Sequence, residues 1–233
     1  MFIKAIIRKL IRREKASEIS YINYLRKIGC RIGQDFHIYS LTNIYVDTQF
    51  PWMIDIGDHV HITNGCHLLC HDYSWVVGKH LYGEVLGGVG SIKIGNNVFI
   101  GTGSIILRNS KIGNNVIIGA GSVVSGIIPD NCVAVGAPAK KVMSISEYWE
   151  RRKNMQYEEA ANIVREYRQV FKSDPPKSAL PAYFFLFEPR QKELDELYKN
   201  RMTLSENYEA SMNSFIQSEP VFNSYQDFLN SID

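Results

Sequence analysis

Every sixth residue from Ile32 onward is large and apolar: Ile32, Ile38, Ile44, Phe50, Ile56, Ile62 and Leu68. The pattern restarts at Ile94 and runs through Ile100, Ile106, Ile112, Ile118 and Val124. A helix repeats its faces every 3.6 residues and a strand every two, so neither alone yields a strict six. A short strand followed by a tight turn does. Gly often follows the apolar position, as at Gly33, Gly57, Gly95, Gly101, Gly113 and Gly119. The fourth residue after it is often small or β-branched, as at Thr42, Thr48, Val60, Cys66, Val98, Ser104, Ser110, Val116 and Ser122. Three such units close one triangular coil of about eighteen residues, each apolar side chain stacking on its equivalent one coil up. "IGNNV" occurs at 94–98 and 112–116, 18 residues apart, which is one coil. Gly, Asn and Asp at the corners accept left-handed backbone angles.

The repeat breaks between Leu68 and Ile94, 26 residues that are not a multiple of six. The interruption, Tyr73–Ser91, is rich in glycine and carries Tyr73, Trp75 and Tyr82. Insertions in solenoids gather on one face, often the binding face. At its foot stands "LLCHDYSW", residues 68–75, with a thiol, an imidazole and a carboxylate side by side.

Three readings of that stretch compete. As a metal site, Cys66, His67, Cys70 and His71 have the right chemistry. However, four-residue spacing converges two ligands on a helix and not on a strand-and-corner coil, so no metal is expected. As a polar corner, His71 would have no chemistry. As a general base, an imidazole with a pKa near working pH takes a proton from an attacking hydroxyl and hands it to a leaving group.

The repeat, and above all "IGNNVFIGTGSIILRNSKIGNNVIIGAGSVVSGIIPDNCVAVGAPAKKV" at 94–142, resembles the hexapeptide-repeat acyltransferases of left-handed β-helix fold. The resemblance spans residues 30–143 and is closest to the sugar and polysaccharide O-acetyltransferase branch. It implies a homotrimer using acetyl-CoA, with His71 as the general base and Asp72 as the nearest carboxylate to fix its tautomer. It places the donor along Thr102, Gly103, Ala120 and Ser125, with Lys140 and Lys141 of "GAPAKK" toward the CoA phosphates. The acceptor would meet Tyr73, Trp75, Glu84 and Phe99. Phe99 stands in "NVFIG" where many sugar acetyltransferases read "NVWIG", so an indole N–H is missing here.

The ends of the chain differ from the repeat. Residues 1–15 carry six Lys or Arg and one Glu, with Phe2, Ile3, Ile6, Ile7, Leu10 and Ile11 on one helical face. This segment suits either a cap on the open end of the β-helix or a peripheral contact with an anionic membrane. It does not read as an export signal, and no run of apolar residues is long enough to span a bilayer. A cytoplasmic protein with four reduced cysteines is therefore expected. Beyond residue 143 the six-residue period disappears. Ser144 and Glu147 form a capping-box pattern, a helical spacing follows to Phe171, and Pro175-Pro176 ends it. The apolar run "ALPAYFFLFEP" needs a partner surface. Residues 145–233 carry eleven basic and fifteen acidic side chains, and the whole chain is only +2, so no nucleic-acid partner is indicated.

The expected architecture is mainly β. An N-terminal helix or cap covers 1–29, a left-handed parallel β-helix with an inserted loop at 73–91 covers 30–143, and a helical region covers 144–233. The expected function is acetyl-CoA-dependent O-acetylation of a sugar hydroxyl on a polysaccharide or its precursor. N-acetylation of an amino-sugar nucleotide, antibiotic acetylation and an inactive solenoid scaffold remain the alternatives.

Overall fold

The computed structural model describes residues 14–233. The chain divides into two compact units, with the boundary after Tyr148. The segment expected to form an amphipathic helix over 1–15 lies outside the described residues except for its last two.

In the first unit the strands form three parallel sheets that wind as a β-helix. One sheet stacks Arg31–Ile32, Ile54–Ile56, Ile92–Ile94, Lys111–Ile112 and Ile127–Ile128. The second stacks His37–Ile38, Val60–Ile62, Val98–Ile100, Val116–Ile118 and Cys132–Gly136, and ends with the antiparallel strand Ala139–Ser144. The third stacks Tyr45–Val46, His67–Leu69, Ile105–Leu107 and Val123–Val124. Ladders such as Val98↔Val116 and Ile94↔Ile112 repeat at the eighteen-residue interval read from the sequence. The mainly β, helix-flanked fold class is the one the repeat predicts.

The inward positions are filled as the period requires. Ile62, Leu68, Ile100, Ile106, Ile118 and Val124 are fully buried, and Val60, Cys66, Val98, Ser104, Ser110, Val116 and Ser122 close the corners between them at 2% exposure or less. Burying one such aliphatic side chain contributes about 2 kcal/mol, so the stack is the main source of cohesion in this unit.

The first coil departs from the expectation. Ile32 stacks on Ile56 and Ile38 on Ile62, 24 residues on rather than eighteen. On the third face Val46, not Ile44, stacks on Leu68, and Thr42 and Thr48 are exposed. The cause is twofold: eight residues instead of six separate Ile38 from Val46, and an extra turn, Pro51–Met53, is inserted between the third and first faces. Twenty-four is still a multiple of six, so the apolar period runs through the irregularity without showing it.

Helix α1, Glu18–Ile28, closes the first coil. Ser17 Oγ accepts from Ser20 N at its start, and Gly29, at φ 117, ends it. Tyr21, Ile22 and Leu25 enter the same core as Cys30, Phe36 and Ile38. Glu18 ties the helix to the second face by accepting from Ile38 N at 2.8 Å and facing His37 Nδ1 at 3.1 Å. Around it, Asp35 meets His37 Nε2 at 2.8 Å and His59 Nδ1 at 3.0 Å, and His61 stacks on His37 and bonds Tyr39 OH.

The second unit, Trp149–Asp233, has its own core. Helix α3, Ile145–Phe171, begins at the expected capping box: Glu147 Oε2 accepts from Ser144 N at 2.6 Å and Glu147 N donates to Ser144 Oγ at 3.1 Å. Its Ala160, Ala161 and Val164 pack with Leu180, Phe184, Leu186 and Phe187 of the aromatic run, and with Tyr198, Met202, Phe215 and Phe228 from the short helices Glu196–Met202, Tyr208–Gln217 and Tyr225–Asn230. Leu180, Phe184, Leu186 and Phe187 of the run "ALPAYFFLFEP" are thus buried within their own unit, and Phe185 stays exposed. No described helix is long and apolar enough to cross a membrane.

The histidine–carboxylate cluster makes the hold on α1 depend on pH. Burial works against a charged His37, but hydrogen bonds from Asp35 and Glu18 raise its pKa above 6.5. Such a group stabilises the fold fully below its unfolded pKa and loses that contribution as pH rises through the folded value. His61, lowered by burial and by His37, acts in the opposite sense. We expect His37→Gln to lower the thermal midpoint most below pH 6.5, with the gap from wild type narrowing toward pH 8. A gap that does not change between pH 5.5 and 8 would remove His37 from this role.

Candidate functional site

The site forms where the third face of one coil meets the excursion from the next. Asp47 follows the strand Tyr45–Val46 and is held flat beneath the coil above, its N–H donating to Leu68 O at 3.0 Å. Its side chain is 1% exposed. Oδ1 accepts from Gln49 N at 2.9 Å, and Oδ2 accepts from Cys70 N at 3.1 Å and from His71 Nδ1. A buried carboxylate with three donors is fixed in place and stays an acceptor. His71 Nδ1 therefore carries the proton, and Nε2 is left as the free basic nitrogen. The His71 side chain is 13% exposed.

Asp72, expected to orient His71, does not. Neighbours on a strand point to opposite sides, and Asp72 turns to Arg108 Nε at 2.9 Å and to Ser74 Oγ and N at 2.5 and 2.9 Å. The Ser74 bonds and then Arg108 hold its pKa down to about 2. His71–Asp72 pairs antiparallel with Gly88–Val89, which pinches the foot of the excursion. Within it lies helix α2, Trp75–Tyr82, which buries none of its residues.

Five rings form a continuous chain through the site: Trp52–Phe50 at 6.0 Å, Phe50–His71 at 5.4 Å, His71–Tyr73 at 5.1 Å and Tyr73–Trp75 at 6.1 Å, all edge-to-face. Tyr73 OH donates to Gln49 Oε1 at 2.9 Å and ties the excursion to the coil before it. Tyr73 thus stands beside His71, with Trp75 one ring beyond it. Phe99 does not: it lies on the second face, in register with His61 and Ile117. Glu84 is exposed in the excursion with no bond to His71. Cys70 is buried, and its thiol is pushed up to about 12 by burial and then by Asp47, which makes it a poor nucleophile. His67 packs against Tyr45, and no group of three or more metal-ligating side chains converges among the described residues.

Thr102, Gly103 and Ala120 share one corner of successive coils, where Gly121 N donates to Thr102 O at 2.8 Å. A Cβ on Gly103 would meet nothing within 4 Å, so the backbone there is open to a thin ligand. Ser125 lies at the other end of the third face, after Val123–Val124. Lys140 and Lys141 are exposed on the final antiparallel strand, opposite Val135 and Ala134.

Asp47, Gln49, Phe50 and Trp52 escaped the sequence reading. The signal was the register of the first coil, Val46 on Leu68, which sets Asp47 under the stretch ending in His71 and is hidden unless the irregularities of that coil are known.

Two matches with known proteins show the family. Residues 91–126 match the bacterial transferase hexapeptide family (six repeats). Protein CapG of Staphylococcus aureus is 41% identical over 145 residues, which is 62% of this chain and 80% of that protein. The chain belongs to the hexapeptide-repeat transferase family. Solved structures to which the chain is similar include a hexapeptide-repeat acetyltransferase from Vibrio cholerae, 19% identical over 61% of this chain and 89% of its own, TM-score 0.44. Another is a maltose O-acetyltransferase from Clostridium difficile 630, 28% identical over 54% of this chain and 74% of its own, TM-score 0.38.

The two carboxylates predict opposite results in one measurement. In Asp47→Asn the His71 tautomer should shift, read from ¹⁵N chemical shifts of the imidazole. In Asp72→Asn it should stay as in wild type. A shift in both variants, or only in Asp72→Asn, would overturn the assignment of Asp47 as the orienting group.

Proposed function

We propose that the protein is an acetyl-CoA-dependent O-acetyltransferase acting on a sugar hydroxyl of a polysaccharide or its precursor. The observation that carries the reading is the buried Asp47 holding His71 Nδ1–H, with His71 Nε2 left as a base beside an aromatic wall. Family membership supports transfer chemistry.

In this reading His71 Nε2 accepts the proton of the acceptor hydroxyl as its oxygen attacks the thioester carbonyl. Asp47 stabilises the imidazolium that forms. When the carbon–sulfur bond breaks, His71 returns the proton to the leaving thiolate, so no covalent acyl-enzyme is needed. Thr102, Gly103 and Ala120 offer the small-residue corner along which a pantetheine arm would lie, Ser125 continues the donor path, and Lys140 and Lys141 would meet phosphate charge. Tyr73 and Trp75 face the acceptor, and Asp72 acts by holding the foot of the excursion. Phe99 and Glu84 would reach an acceptor only from outside the ring chain.

The active unit we propose is a homotrimer, with residues 30–143 as the catalytic domain and 144–233 as a helical appendage. The basic, amphipathic residues 1–15 suit a peripheral contact with an anionic membrane on the cytoplasmic side, where lipid-linked glycans are built.

The test is CoA release from acetyl-CoA with a panel of sugars, alongside a thermal shift with CoA. Wild type should turn over with at least one sugar. His71→Ala should bind CoA equally well and lose roughly 10²- to 10⁴-fold in kcat. Full activity in His71→Ala removes the base. Absence of a CoA shift in wild type removes the acyltransferase reading.

A further inference from the structure

The ring chain extends farther than a single acceptor sugar needs. Trp52 is separated from His71 by two ring contacts, of 6.0 and 5.4 Å, and Trp75 by two, of 6.1 and 5.1 Å, on the other side. A sugar whose hydroxyl sits at His71 Nε2 would face Phe50 and Tyr73. The two tryptophans lie one ring farther out on either side.

Trp52 is placed rather than merely packed. Its backbone is pinned: Arg31 Nη1 donates to its carbonyl at 3.1 Å, and a Cβ on Gly29 would lie 3.6 Å from its N. It belongs to the turn, Pro51–Met53, that adds most of the extra length of the first coil. Yet its side chain is left 56% exposed, with Tyr73 57% exposed across the site. Neighbours of Trp52 in the same turn go the other way: Pro51 is buried and Met53 packs against the core. The insertion thus presents one large flat ring to solvent, beside a base. Exposing an indole forgoes a large burial contribution, and a rigid aromatic face held in solvent is suited to the apolar C–H face of a sugar ring.

We propose that Trp52 is an acceptor-binding residue that stacks on a sugar one ring removed from the acetylated one, so that the acceptor is an oligosaccharide or polymer rather than a free monosaccharide. This rests on the acetyltransferase reading above. Trp75 forms the matching wall on the other side, and Tyr73 OH on Gln49 Oε1 keeps the two walls in one arc. The acetylated ring is chosen by His71, and the length of the chain is sensed by the tryptophans.

The experiment compares initial rates with acetyl-CoA and paired mono- and trisaccharides of glucose, galactose and N-acetylglucosamine. In wild type, the accepted series should show a KM about tenfold lower for the trisaccharide, the scale expected of one ring stack. Trp52→Ala should raise that KM about tenfold, toward the monosaccharide value, with the KM for acetyl-CoA as internal reference. Trp52→Phe should keep most of the advantage. Thermal melts check that the exposed substitution leaves the fold intact. The proposal is overturned if wild type treats short and long acceptors alike, or if the trisaccharide advantage survives in Trp52→Ala. It is also overturned if wild type binds CoA but accepts none of these sugars. Failure of wild type to bind CoA at all is a different result: it sinks the acetyltransferase reading first, and Trp52's role with it.

Discussion

The close stacking of one corner, coil upon coil, is the constraint from which the rest of the first unit follows. At Gly33, Gly57, Gly95 and Gly113 a Cβ would sit 2.8 Å or less from the coil above, in or against the side-chain oxygen of Asp58, Asn96, Asn114 and Asp130 respectively. Those same oxygens accept backbone N–H groups from the coil below: Gln34 N to Asp58, Asp58 N to Asn96, Asn96 N to Asn114 and Asn114 N to Asp130. The next residue takes a left-handed turn, at Asp35, His59, Asn97, Asn115 and Asn131, and Asn97, Asn115 and Asn131 join in a side-chain ladder. A corner built this way has no room to slip by one residue. The inward aliphatic stack is then set in register by polar bonds at its edge, and hydrophobic burial supplies the cohesion.

Such a frame confines irregularity to what can be added between corners. The chain uses that freedom at two places, the turn Pro51–Met53 and the excursion after Asp72, and both open onto the same edge of the third face. The first leaves Gln49 and Trp52 exposed and Phe50 half-buried against the core, with Asp47 packed under Leu68. The second carries Tyr73 and Trp75 away from the coil just after His71. The candidate site is therefore bounded on both sides by departures from the repeat, and its base–carboxylate pair is held by the repeat itself.

This division explains what could be read from the residues alone. The six-residue period belongs to the backbone corner and the inward stack, so it is written in nearly every hexad and gave fold, coil length and the position of the break. His71 was legible because it stands at that break. Asp47 was not, because its link to His71 depends on how many residues the first coil holds, and an insertion that preserves the multiple of six leaves the pattern unmarked. Asp72 is the carboxylate next to His71 in sequence, but adjacent strand residues point apart, and it turns to Arg108 and Ser74 instead. Helix α1 was signalled by Ser17, Gly29 and the spacing of Tyr21, Ile22 and Leu25, but the stronger amphipathic pattern of residues 1–15 drew attention away from it. In the second unit the aromatic run could be seen to need burial, yet its partners, Val164, Tyr198, Phe215 and Phe228, come from four helices spread along the sequence, and no period connects them.

A general base needs one fixed nitrogen, and an acceptor site needs a surface that evolution can change without disturbing it. With His71 as the base proposed above, the arrangement here separates the two demands. Asp47 accepts from two backbone N–H groups as well as from His71, so any change that moves the carboxylate must first break the coil contact at Leu68 and Cys70. Trp52, Tyr73 and Trp75, by contrast, project from the added turn and the excursion, and their replacement costs the core little. On the proposed function, acceptor selectivity is free to drift through these rings while the imidazole–carboxylate geometry stays locked to the β-helix, the property a scaffold needs if one chemistry is to serve many acceptors.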